Sequence, residues 1–183
     1  MKHKALKSFD SNKLEGLNNI VVNNPRVSKS NYAYILDWDD YNTPAALNHL
    51  HKNGLISYSA YKPFSIKVNE DNNVKSFNRG TVMVPVSKQK VDSQKLFQII
   101  QSTQEKFNIP VFSTETGYSS AGIDLGSNFF RINKKVKVAM LIGEGVSSYE
   151  AGEVWHLLDT RVNIPLTKIR LNQFNRTSLD KYT

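Results

Sequence analysis

The 183-residue chain predicts an α/β fold: a Rossmann-like or flavodoxin-like layered sheet with helices on its faces, incomplete at the C-terminus. Three observations predict it. Apolar runs of strand length alternate with amphipathic stretches of helix period. The clearest run, Val136 to Ile142, is near-continuous, as in a parallel strand covered on both faces, and passes through Gly143 and Gly145 into a helical pattern. Only one further strand pattern follows that unit, and a single strand–helix–strand start cannot bury a sheet, because three or more strands are normally needed.

Residues 1–30 are polar, rich in Asn, Lys and Ser, with one apolar patch at Ile20 to Val22 and a turn at Asn24-Pro25; they predict a lead-in or linker with at most an edge strand. An α/β segment over 31–133 follows. Tyr32 to Trp38 is an aromatic and β-branched strand with Asp37, Asp39, Asp40 and Tyr41 at its carboxyl end. Thr43-Pro44 is an N-cap with Pro at the first helical position; Ala46, Leu47 and Leu50 share a face, and Asn53-Gly54 is the stop. Leu55 to Tyr61 is the next strand, which makes 32–61 a strand–helix–strand unit. Ser65 to Val68 and Val74 to Phe77 flank a polar tip at 69–73, a hairpin or an exposed loop. Thr81 to Val86 is a strand whose Pro85 places it at an edge or marks its end. Asp92 or Ser93 caps a helix that carries Leu96, Phe97, Ile99, Ile100, Thr103 and Phe107 at the 3.6 period and stops at Asn108 and Pro110. Val111 to Thr114 is a short strand, and a glycine-containing loop over 116–133 ends the segment.

The third region, 134–183, begins with the Val136 to Ile142 strand. Ser147 lies three residues before Glu150, the spacing of a capping box. Ala151, Val154, Trp155 and Leu158 recur at i, i+3, i+4 and i+7 and predict one buried helix face. Ile164 to Ile169 is a strand, and one weak helical turn falls around Ser178 to Lys181.

Composition bounds the chemistry. The formal charge is +8, but the 24 basic residues are dispersed along the chain, which predicts a solvated surface rather than a nucleic-acid interface. There is no Cys, so disulfides, thiolate metal sites and a cysteine nucleophile are excluded. No window approaches the roughly 18 apolar residues of a membrane span. The basic N-terminus lacks the apolar core of a secretory signal.

The runs YAYILDWDDYNTPAALNHL (32–50), RGTVMVPVS (79–87), GIDLGSNFFR (122–131) and VAMLIGEGVSSYEAGEVWHLLDT (138–160) together resemble the region downstream of the catalytic domain in large bacterial zinc carboxypeptidases of the carboxypeptidase A type. The resemblance covers roughly 25–183, and GEGVSSYEAGEVWHLLDT is its most specific part. It implies that 134–183 is the first strand, helix and strand of a truncated class I glutamine amidotransferase-like domain. It implies an upstream peptidase domain and a downstream remainder as partners, zinc only in the peptidase domain, and export of the parent protein to the periplasm or medium. The family's zinc is held by a His-x-x-Glu pair and a distant His. None of the four histidines here has Glu at the third following position, so no catalytic or metal residue carries over, and no cofactor is expected in this chain. The amidotransferase nucleophile, a Cys at a strand-to-helix elbow, is absent as well. The function implied is that of a non-catalytic accessory part of a metallocarboxypeptidase-like protein.

One ligand site is a candidate. Gly143, Glu144, Gly145, Ser147 and Ser148 form a glycine turn at a helix start, where backbone N–H groups can cradle an anion. The full GxGxxG pattern is missing and Glu144 repels phosphate, so a tight structural turn is the simpler expectation, and a free-standing small-molecule or anion-binding module is the alternative function. Glu153, His156 and Asp159 share a helix stripe that could hold a metal but is simpler as an exposed face. His49 and His51 point apart on a helix. The three aspartates after the first strand could act as acid, base or cation ligands, or simply cap the next helix. Trp38, Tyr41 and Tyr61 are expected to be packing groups.

Overall fold

The structure, a computed structural model, describes residues 24–69 and 73–183; the apolar patch at Ile20 to Val22 and most of the polar tip after Asn69 lie outside them. The α/β class expected from the sequence is what the chain adopts. Strand β1 (Ala33–Leu36), helix α1 (Thr43–Lys52), β2 (Tyr58–Ala60), β3 (Phe64–Val68), β4 (Asn73–Phe77), β5 (Val82–Pro85), α2 (Ser93–Phe107), β6 (Val111–Thr114), β7 (Ala121–Gly122) and β8 (Phe130–Ile132) build the larger part. A smaller unit follows, made of β9 (Val138–Ile142), α3 (Ser148–Trp155), a π-helical turn over His156–Arg161, β10 (Leu166–Arg170) and a 3₁₀ helix over Leu171–Arg176. The weak turn expected at Ser178 to Lys181 is thus preceded by a better-formed one.

The main sheet has the order β6-β1-β5-β2-β8, and every neighbouring pair in it is antiparallel. This corrects the Rossmann-like expectation for the larger part. The strand–helix–strand unit over 32–61 does form, but its two strands are not neighbours, because β5 inserts between β1 and β2. Together β1-α1-β2-β5-α2-β6 is the split βαβ arrangement of ferredoxin-like sandwiches, with the β3–β4 hairpin inserted between its second and third strands. Pro85 ends a central strand, where the missing N–H falls at the last ladder position, opposite Ala33.

Both faces of the sheet are covered, by different layers. Tyr34, Leu36, Val82, Val84 and Val111 face α1 and α2, where Ala46, Leu50, Leu96, Ile99 and Ile100 complete one core. Ala33, Ile35, Ala60 and Met83 point the other way, into a second core closed by Phe64, Ile66, Val68 and Phe77 of the three-stranded sheet β4-β3-β7 and by Leu125 and Phe130. Among the described residues, helices therefore occupy one face only. A Cβ on Gly122, at φ +82°, would lie 2.4 Å from the Pro63 carbonyl oxygen, so only glycine lets β7 close this second sheet.

Local signals set the helix ends. Asp92 Oδ1 accepts from Lys95 N at 2.8 Å, and Asn108 leaves α2 in the left-handed conformation. At α1 the cap is Asn42, one residue earlier than expected, and Thr43 instead donates its hydroxyl to the Asp37 carbonyl at 2.6 Å. The segment expected to be a linker is docked from Asn24 onward: Val27 N donates to Gln104 Oε1 at 2.9 Å and Ser30 Oγ to the Thr114 carbonyl at 2.7 Å.

The smaller unit is built differently. β9 and β10 pair in parallel, Val138 opposite Leu166 and Ile142 opposite Arg170, with α3 as the crossover, so a Rossmann-like step exists here and nowhere else among the described residues. The full burial expected of β9 and of the α3 face is not found. Every residue of β9 is half-buried, α3 has no buried residue, and Val154 and Trp155 are 46% and 39% exposed. Two strands and one helix enclose too little volume to cover their own apolar stripes. Ile169 is the one buried apolar residue of the unit.

Candidate functional site

The expected glycine turn lies where β9 hands over to α3. Gly143 and Gly145 have φ of +101° and +84°, a conformation that L side chains rarely adopt, and Val146 N closes the turn on the Gly143 carbonyl at 3.0 Å. Ser147 is committed to structure, its hydroxyl accepting from Glu150 N at 3.4 Å as the cap of α3.

Two shallow depressions flank the turn. In the first, of about 380 Å³, Gly143, Glu144 and Gly145 face Arg170, Leu171 and Asn172. In the second, of about 440 Å³, Ser148 joins Met140, Ile142, Val146, Trp155 and Lys168, whose ammonium lies 4.3 Å from the Trp155 ring centroid. The turn residues are thus divided between two surfaces, with Ser147 serving the helix. Arg170 and Lys168 were not foreseen as neighbours of the turn. A signal for them existed: in a parallel βαβ unit both strands end at the same edge of the sheet, so the last residue of β10 must stand beside the last residue of β9.

The other candidates resolve into structural roles. Asp37 pairs with Lys75 at 3.4 Å, Asp39 Oδ2 accepts from Asn78 Nδ2 at 3.2 Å, and Asp40 Oδ1 accepts from Asn42 N at 2.8 Å; together they shape the β1–α1 connection. Glu153, His156 and Asp159 lie on an exposed stripe, and among the described residues no three His, Asp or Glu side chains converge as metal ligands. Trp38 packs over Gly80, and the Arg131 guanidinium stacks 4.5 Å from the Tyr61 ring centroid. Tyr41 is 72% exposed and is not the packing group expected.

His49 and His51 do diverge, and each meets a hydroxyl. His49 Nδ1 lies 3.0 Å from Thr103 Oγ1, and His51 Nε2 lies 2.9 Å from Ser57 Oγ, which also accepts from Asn133 Nδ2 at 3.1 Å. Burial holds both imidazoles below the usual histidine range, helped by Lys106 and Lys52 at His49 and by Lys135 at His51. As the pH falls through the ordinary histidine value of about 6.5, the unfolded chain takes up protons first. The stability held by the neutral rings is complete above that pH and declines below it. Urea midpoints should therefore drop between pH 7 and pH 5, and the drop should be shallower in a His49→Gln/His51→Gln variant. An unchanged slope in that variant would remove the histidines from the account.

No family model, curated protein or solved structure matches this chain.

Proposed function

We propose that the chain is a non-catalytic accessory part of a zinc carboxypeptidase-like protein, and that its β9-α3-β10 unit is the opening of a larger parallel layer completed by further strands. The carrying observation is the mismatch between the unit's design and its burial. A capped helix, a glycine elbow and an apolar strand are present, yet α3 buries nothing fully and Val154, Trp155 and Leu157 remain exposed. Among the described residues β9 has only β10 as a sheet partner. A strand with a single partner leaves one row of its backbone groups for a further strand to pair with. The larger part supplies the rigid support, and the peptidase domain and the remainder of the amidotransferase-like layer are the partners that this reading requires.

Sequencing the genomic DNA on both sides of the reading frame tests it. A His-x-x-Glu peptidase domain encoded upstream, in frame or one frameshift away, is the expected result. A frame with its own ribosome-binding site, a stop directly after Thr183 and no such neighbour contradicts it. That outcome favours the second reading, a free-standing small-molecule or anion-binding module, for which Arg170 beside Gly143 and Gly145 is the supporting contact.

A further inference from the structure

Lysines that the sequence scatters are gathered by the fold. Lys52 at the end of α1, Lys135 and Lys137 ahead of β9, and Lys181 near the last residues line one cleft of about 430 Å³, together with Asn48 and Tyr182. The cleft lies at the amino ends of β9 and β10, opposite the glycine turn. Among the described residues no Asp or Glu lines it and none of the four ammonium groups is in an ion pair. Lys52 Nζ donates to the Asn163 carbonyl at 2.8 Å, which uses one of its three protons; Lys181 lies 5.3 Å from the Tyr182 ring centroid. Four cations around one cavity repel each other, and one ligand rich in anionic oxygens relieves that repulsion.

We propose that this cleft binds a small multivalent anion of the phosphate class, held by Lys52, Lys135, Lys137 and Lys181. Lysine suits such a ligand as a point charge, and an open cleft between two units admits it without rearrangement. The site is separate from the Gly143 turn and does not depend on the accessory-domain reading. It also gives the surplus positive charge a location.

The test is titration of the full chain with inorganic pyrophosphate at low ionic strength, followed by calorimetry and by the histidine NMR signals. Saturable binding is expected. It should weaken at least about tenfold in Lys135→Gln/Lys137→Gln and stay within about twofold in the control Lys88→Gln/Lys90→Gln, because only a focused field distinguishes the two pairs. Raising salt from about 20 to about 200 mM should weaken binding by a further order of magnitude. The His51 signal should titrate at higher pH with the anion bound, since after burial the Lys135 charge is what holds it low; a dispersed counterion cloud would not move it selectively. Absence of saturable binding, or equal losses in the two variants, overturns the proposal. Tighter binding of a single-stranded oligonucleotide than of pyrophosphate, lost through the same lysines, overturns it in favour of a nucleic-acid surface.

Discussion

Phe77→Ala should cost about 3–5 kcal/mol of stability, whereas Trp155→Ala, the larger truncation, should cost only about 1 kcal/mol. Phe77 is 2% exposed; its ring stacks on Phe64 at 5.2 Å between centroids and meets the edge of Phe112 at 5.6 Å. It joins the three-stranded sheet to the main one, and its removal leaves a cavity that two aromatic neighbours and a β-sheet backbone cannot fill by shifting. Trp155 is 39% exposed, and the Lys168 ammonium lies 4.3 Å from its ring centroid. Urea unfolding followed by far-ultraviolet circular dichroism measures both. Comparable losses in the two variants would mean that the smaller unit has a core after all.

The contrast follows from where each part finds its cover. In the larger part, two layers shield the main sheet; in the smaller one, a single helix lies over two strands. This difference is also what made one half of the chain easier to read than the other. The β9-α3-β10 order, the turn at Gly143 and the Ser147 cap are local features, and each lies within a few residues of the signal that specifies it. The antiparallel order of the main sheet is non-local. Ala33 to Leu36 is buried at all four positions because Tyr34 and Leu36 face helices while Ala33 and Ile35 face another sheet. A strand between two covering layers is continuously apolar whether its neighbours run parallel or antiparallel, so the pattern of residues 33–36 could not tell a Rossmann-like sheet from a split βαβ sandwich. The insertion of β5 between β1 and β2 joins residues about 25 to 50 positions apart with no local mark of the pairing.

The candidate sites divide the same way. The glycine turn was legible because its chemistry is written in consecutive residues. The lysine cleft was not, since positions 52, 135, 137 and 181 share no motif and meet only when the end of α1 comes beside the amino ends of β9 and β10. Dispersed lysine in a sequence is a statement about spacing along the chain; the field it creates depends on spacing in the fold.

The sharpest contrast in the fold is between residues 138–170, whose helix buries no residue, and a larger part whose main sheet is covered on both faces. Native-state hydrogen exchange on the full chain tests it most directly, because open units exchange by local unfolding and closed ones only by global unfolding. The hydrogen-bonded amides of Val138 to Ile142 should exchange at least about 100-fold faster than those of Ala33 to Leu36 and Val82 to Val84, a difference of about 2.7 kcal/mol in opening free energy. In Phe77→Ala the protection of β1 and β5 should fall while that of β9 stays where it was. Equal protection in β9 and β1, lost together in Phe77→Ala, would show a single cooperative unit and contradict the account.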